Sequence, residues 1–352
     1  MNPVLVEAWR GDAVESFHRG AVAIVDGDGV LVASLGDIER PVFPRSAIKL
    51  LQALPLVESG AADRFGLSDE ELALACASHN GEPVHTRTAA AVLAKAGLDE
   101  SVLECGTHWP YHEPSAHALA AARALPSALH NNCSGKHAGF VCLGCLLADQ
   151  QAHRSFLAGY VHPEHAVMRE VNGAIEAATG ADLSRAPRGT DGCGIPAYAI
   201  PLRQLAHGFA RVASGVGLTP GRAAAAARLR RVVARAPFMG AGSDSFDSQV
   251  MAALGERVFC KVGAEGIYCA ALPDVGLGLA IKVDDGNTAR ACEVAMAALI
   301  EAWVPLTNAA ERELMAGLSN RTLRSRNGLA VGRLAAHQSL RRLTPSAKRA
   351  GV

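Results

Sequence analysis

The sequence predicts a mixed α/β protein of the α+β type. One antiparallel sheet is built from both chain ends, flanked by helices, and a helical subdomain is inserted between them. Three observations predict this. Short β-rich runs separated by glycine occur near the start of the chain and again after about residue 255. The long middle section, about residues 45–250, carries apolar residues at helical spacing. No internal repeat competes with this reading.

Residues 15–25 and 30–35 are apolar runs around Asp26-Gly27-Asp28-Gly29, a β-hairpin signal. A helix is expected over residues 46–59, opened by Pro44. Residues 68–77 begin S-D-E-E, a capping box with Ser68 as N-cap and Glu71 as its partner. Residues 86–96 read as another helix. Residues 131–135 form a polar, glycine-containing loop, and a helix of small residues follows to Asp149. Further helices are expected at 163–179, 196–212 and 219–236. The texture then changes: 257–262, 266–272 and 278–283 read as an antiparallel meander. An amphipathic helix over 287–303 and a last strand over 328–334 complete the chain. The expected organisation is a single domain over residues 1–336. Its sheet comes from about 3–40 and 255–335, and its helical part from about 45–250. The arginine-rich end, 337–352, reads as a disordered tail.

The 352 residues are 49% hydrophobic, ample for a substantial core. Formal net charge is zero, which argues against nucleic-acid or membrane-surface partners, since both usually need a basic excess. The N-terminus lacks a signal-peptide pattern, and the longest apolar stretch, 137–148, is too short to span a bilayer. A soluble, cytoplasmic protein is expected. Nine cysteines suit reduced thiols or a metal better than a disulfide framework.

Arginine takes 28 of the 34 basic positions and lysine six: Lys49, Lys95, Lys136, Lys261, Lys282 and Lys348. Arginine cannot give up its proton near neutrality, whereas a buried lysine can. Lys49 follows Ser46 by three residues, so on a helix the two share a face in the first turn. A serine is a weak nucleophile until a base takes its proton, and a desolvated lysine can be that base. The bland reading is a helix cap and a surface lysine. Two more stretches favour chemistry: Ser78-His79-Asn80 is S-x-N, and Lys261-Val262-Gly263 is K-x-G. In that order the three motifs resemble the signature of penicillin-recognising serine hydrolases. Val262 departs from it by replacing a hydroxyl residue, and Ser46 and Ser78 stand close in sequence. The expected picture is two couples facing one cleft, Ser46 with Lys49 and Ser78 with Lys261.

Asn131-Asn132-Cys133-Ser134-Gly135-Lys136-His137 and Thr190-Asp191-Gly192-Cys193-Gly194-Ile195-Pro196 are two polar turns, each with a cysteine. Thiolates from both could share a zinc ion, with His137, or a neutral Lys136, as third ligand. The alternative is two buried free cysteines. The C-x-x-C of Cys142 and Cys145 lies in an apolar helix and reads as packing.

Five stretches, FPRSAIKLLQALPLVESGA, CASHNGEPVHT, HNNCSGKHAGF, RGTDGCGIPAYAIPL and FCKVGAEGIYCAAL, resemble the rhizobial-type (class 3) L-asparaginases of the asparaginase II family. The resemblance covers roughly residues 3–335. It implies a serine β-lactamase/glutaminase-like fold, a homodimer, and hydrolysis of L-asparagine to L-aspartate and ammonia. Position by position it implies Ser46, Lys49, Ser78 and Lys261 as catalytic residues. It implies Cys133, Lys136 and Cys193 as zinc ligands, the zinc aiding substrate binding. Arg45, Asn80, His137 and Asp191 match positions at or beside the substrate pocket. Ser245 stands where the family carries an arginine. Three other functions compete: a penicillin-recognising hydrolase, an amidohydrolase using zinc-bound water, and a non-enzymatic amino-acid-binding protein.

Overall fold

The structure, a computed structural model, describes residues 1–149 and 152–344. It divides into two compact units. The first comprises Met1–Ala47, Ile200–Val216 and the described chain from Cys260 on; the second comprises Ile48–Ala199 and Gly217–Phe259.

The strands are β1 (Val4–Arg10), β2 (Ala13–Asp26), β3 (Leu31–Leu35), β4 (Pro41–Val42), β5 (Arg188–Thr190), β6 (Pro196–Tyr198), β7 (Ile200–Pro201), β8 (Phe259–Gly263), β9 (Ile267–Leu272), β10 (Leu277–Val283), β11 (Asn320–Arg324) and β12 (Ala330–Ala336). The first unit holds an eight-stranded sheet in the order β11-β12-β1-β2-β10-β9-β8, with β3 also on β2. Strands from both chain ends thus share one sheet, as expected. β2 is long enough to serve two partners in turn: its first half pairs β1, and its second half pairs β10 on one side and β3 on the other. The β2–β3 turn is the expected Asp-Gly-Asp-Gly, where Asp26 Oδ1 accepts from the backbones of Asp28 and Val30. All six residues of β9 are buried, so both of its faces are covered.

The helix Leu202–Ser214 lies on β10 and β2. It was expected within the helical part of the chain and to begin at 196. Pro196 and Pro201 lack N–H donors and sit instead in the short ribbons β5–β6 and β4–β7. The helix approaches so closely that a Cβ on Gly278 would stand 2.0 Å from Ala206 O and 2.2 Å from Ala210 N. Both are backbone atoms that cannot rotate away. Gly278→Ala is therefore expected to destabilise the protein by about 3 kcal/mol, read as a lowered midpoint in urea.

The chain from His337 was expected to be disordered. Residues 337–344 are instead ordered: His337 caps the short helix Gln338–Arg341, Ser339 Oγ donates to Val4 O at 2.6 Å, and Leu340 is buried. Leu340 and Leu343 are buried, and the short helix packs on β1 and on the helix Glu293–Trp303. Residues 345–352 lie outside the described residues.

The second unit is helical. At its centre is Ser134–Leu147, whose residues 134–145 are all buried. A helix apolar all round must be surrounded. Lys49–Glu58, Asp69–Ala75, Pro83–Lys95 and Ala166–Thr179 pack on it. The capping box at Ser68 and Glu71 forms as expected.

Candidate active site

Within the first unit, Ser46 lies in the single 3-10 turn Arg45–Ile48 and is half-buried. Arg45, just before it, has φ +49, a left-handed conformation that is unfavourable for a residue with a Cβ. The K-x-G stretch reaches this turn. A Cβ on Gly263 would stand 2.7 Å from Pro44 O and 3.1 Å from Ala47 N, so only glycine lets the end of β8 lie against the Ser46 turn. Lys261, two residues earlier, is 2% exposed.

Within the second unit, Lys49 opens the helix Lys49–Glu58 and is 1% exposed. Its Nζ donates to Ser78 Oγ at 2.8 Å and to Ala77 O. From the sequence Ser78 is expected to pair with Lys261; within the second unit it is Lys49 that bonds to it. The S-x-N backbone is pinned at both ends, Ser78 N donating to Gly240 O and Asn80 N to Ala241 O. Between them, His79 is fully buried. Its Nδ1 accepts from Gly81 N, so Nε2 carries the proton and donates to Ser134 Oγ at 2.8 Å. Burial, then the charges of His85 and Lys49, push its pKa well below the ordinary imidazole value.

The Asn80 amide donates to Glu82, whose carboxylate also accepts from Ser243 N and Ser243 Oγ. Burial opposes ionisation of Glu82, but these bonds outweigh it and lower its pKa. Asn80 Oδ1 is buried and has no partner among the described residues. Gly242, at φ +110, makes room for it: a Cβ there would lie 2.3 Å from Oδ1. Ser245, where the family arginine was expected, caps the helix Phe246–Leu254 by accepting from Ser248 N.

Cys133, Lys136 and Cys193 form one buried cluster. Asn131 sets Cys133 by accepting from its N–H at 2.8 Å, while Asn131 Nδ2 donates to Cys105 O. Cys193 sits in a turn closed by Asp191 N to Ile195 O and Gly194 N to Asp191 O. Asp191 Oδ1 accepts from Gly192 N. Lys136 Nζ is 3.2 Å from Cys193 Sγ. The hydrogen bond from Cys193, aided against burial by the lysine charges, lowers the Cys133 pKa well below the ordinary thiol value. The same bond raises that of Cys193. Burial lowers the Lys136 pKa, but the sulfurs of Cys193 and Cys133 outweigh it and leave it raised.

Among the described residues, no group of three or more His, Cys, Asp and Glu could hold a metal ion. This cluster has two sulfurs and an amine. Zinc binds sulfur at about 2.3 Å and nitrogen at about 2.0–2.1 Å, so donors with this separation lie within reach of one ion. The donor chemistry therefore fits zinc, provided Lys136 gives up its proton. Cys142 and Cys145 point to packing alone: burial raises their pKa values to about 12 and about 11. All nine cysteines are free. Among the described residues, no helix is long and apolar enough to cross a membrane.

His137 is fully buried, and its Nδ1 lies 2.7 Å from Tyr160 OH. Burial, then the charges of Lys136 and Lys49, lower its pKa well below the ordinary value. Glu82, His79 and Tyr160 were not singled out from the sequence. No local pattern marks them, because their partners lie 161, 55 and 23 residues away.

No curated relative matches the chain. A crystal structure of Mglu shares 17% identity over 77% of this chain and 64% of that one, at a TM-score of 0.32. Its native form shares 16% over 79% and 62%, at 0.33. The chain thus spans a little under two thirds of those solved chains. The L-asparaginase II family matches residues 6–336, nearly the whole of the described chain. This protein belongs to the L-asparaginase II family.

Proposed function

We propose that the protein hydrolyses the side-chain amide of L-asparagine to L-aspartate and ammonia, with Ser46 as nucleophile and Lys49 as its base. The family match over residues 6–336 carries this reading. The buried Lys49 amine at Ser78 supports its proton chemistry.

Lys49 takes the Ser46 proton as Ser46 Oγ bonds to the amide carbon. The carbon–nitrogen bond then breaks. Lys49 is already bonded to Ser78 Oγ, so the proton passes through Ser78 to the departing ammonia, with Lys261 as the second amine of the relay. Water releases aspartate from the acyl-enzyme. Arg45 meets the substrate carboxylate and Asp191 its ammonium, by charge complementarity. Asn80 and His137 offer it an acceptor and a donor. Cys133, Cys193 and Lys136 would hold zinc, which would supply an electrophilic binding point for a substrate polar group. The nine free thiols suit a reducing compartment, and the reading includes a cytoplasmic homodimer.

Ammonia release from asparagine and from glutamine, with and without chelator, tests the reading. Turnover of asparagine is expected, and chelation is expected to raise KM more than it lowers kcat. Absence of turnover with zinc supplied would overturn it. Abolition of kcat by chelation would favour zinc-bound water as the nucleophile.

A further inference from the structure

His137 and Tyr160 are both fully buried in the second unit. The phenol oxygen of Tyr160 lies 3.0 Å from Glu104 N and 2.7 Å from His137 Nδ1. A backbone N–H can only donate, so the Glu104 bond uses the oxygen as acceptor. The single phenol proton is left for His137 Nδ1. Nδ1 is then an acceptor, and the imidazole proton stands on Nε2. That Nε2 is buried and, among the described residues, has no hydrogen-bond partner. An unpaired buried donor is costly, because it has given up water for nothing. The protein maintains this cost through three residues on separate elements, Glu104, Tyr160 and His137. Such an arrangement is understandable if a ligand supplies the missing acceptor.

We propose that Tyr160 is a positioning residue for substrate binding: it holds His137 in the Nε2–H tautomer, which donates to an acceptor oxygen of the bound amino-acid amide. The donor's role in turnover rests on the function proposed above; the tautomer itself does not.

Two measurements on the full-length protein test this separately. Nitrogen-15 NMR of histidine-labelled protein, with the His137 signal identified by its loss in His137→Gln, is expected to show a protonated Nε2 and a bare Nδ1. A protonated Nδ1 in the unsubstituted protein would overturn the proposal whether or not asparagine is the substrate. In kinetics, Tyr160→Phe is expected to raise KM for asparagine about tenfold with little change in kcat, the loss of roughly one hydrogen bond. His137→Gln, whose side-chain amide nitrogen reaches about as far as Nε2, is expected to raise KM clearly less than His137→Leu does. Added to His137→Gln, Tyr160→Phe is expected to have no further effect on KM. A tyrosine that mattered only for packing would raise KM equally in both backgrounds, and that result would sink the proposal.

Discussion

Ser46→Ala is expected to lower ammonia release from asparagine by about a million-fold, since removing the nucleophile of a serine hydrolase leaves only binding and polarisation. The change is small and the side chain is half-buried, so thermal unfolding should move little. Ser78→Ala is the needed comparison. Ser78 is the hydroxyl bonded to Lys49, so a Ser46→Ala enzyme with near-normal turnover would hand the nucleophile's role to Ser78. A burst of product in the parent enzyme, absent from Ser46→Ala, would identify the acyl-enzyme directly.

Lys49→Met is expected to cost about 100- to 10,000-fold in kcat, the range for loss of a general base. Methionine fills much of the same volume, so the 1%-exposed position keeps most of its packing. Ala77 O and Ser78 Oγ lose a donor, and stability should fall by about 1–3 kcal/mol. Lys49→Arg separates charge from basicity. Arginine restores the positive charge but cannot accept a proton near neutral pH, so no rescue is expected. An active arginine variant would show that residue 49 acts through its charge alone.

Local signals served the fold well where the chain's own neighbours decide the structure. The capping box at Ser68 and the Asp26–Gly29 turn both form because their partners lie within four residues. The same kind of signal stands at Asn327-Gly328, where the turn between β11 and β12 has Gly328 at φ +85. The helix expected from residue 196 begins instead at Leu202, because Pro196 and Pro201 lie in the short ribbons before it. The tail beyond His337 was judged on its arginines, while its leucines make the contacts.

Residue types and their order along the chain determined the candidate chemistry: a lysine three places after Ser46, an S-x-N, a K-x-G, two cysteine turns, and the family they resemble. Those are covalent facts, and no folding is needed to read them. Tertiary structure alone decided which amine meets Ser78, why Gly263 and Gly242 must lack side chains, and which nitrogen of His137 carries a proton. Each of these depends on atoms brought within 4 Å from distant parts of the chain, and burial makes every unpaired donor or displaced methyl there expensive.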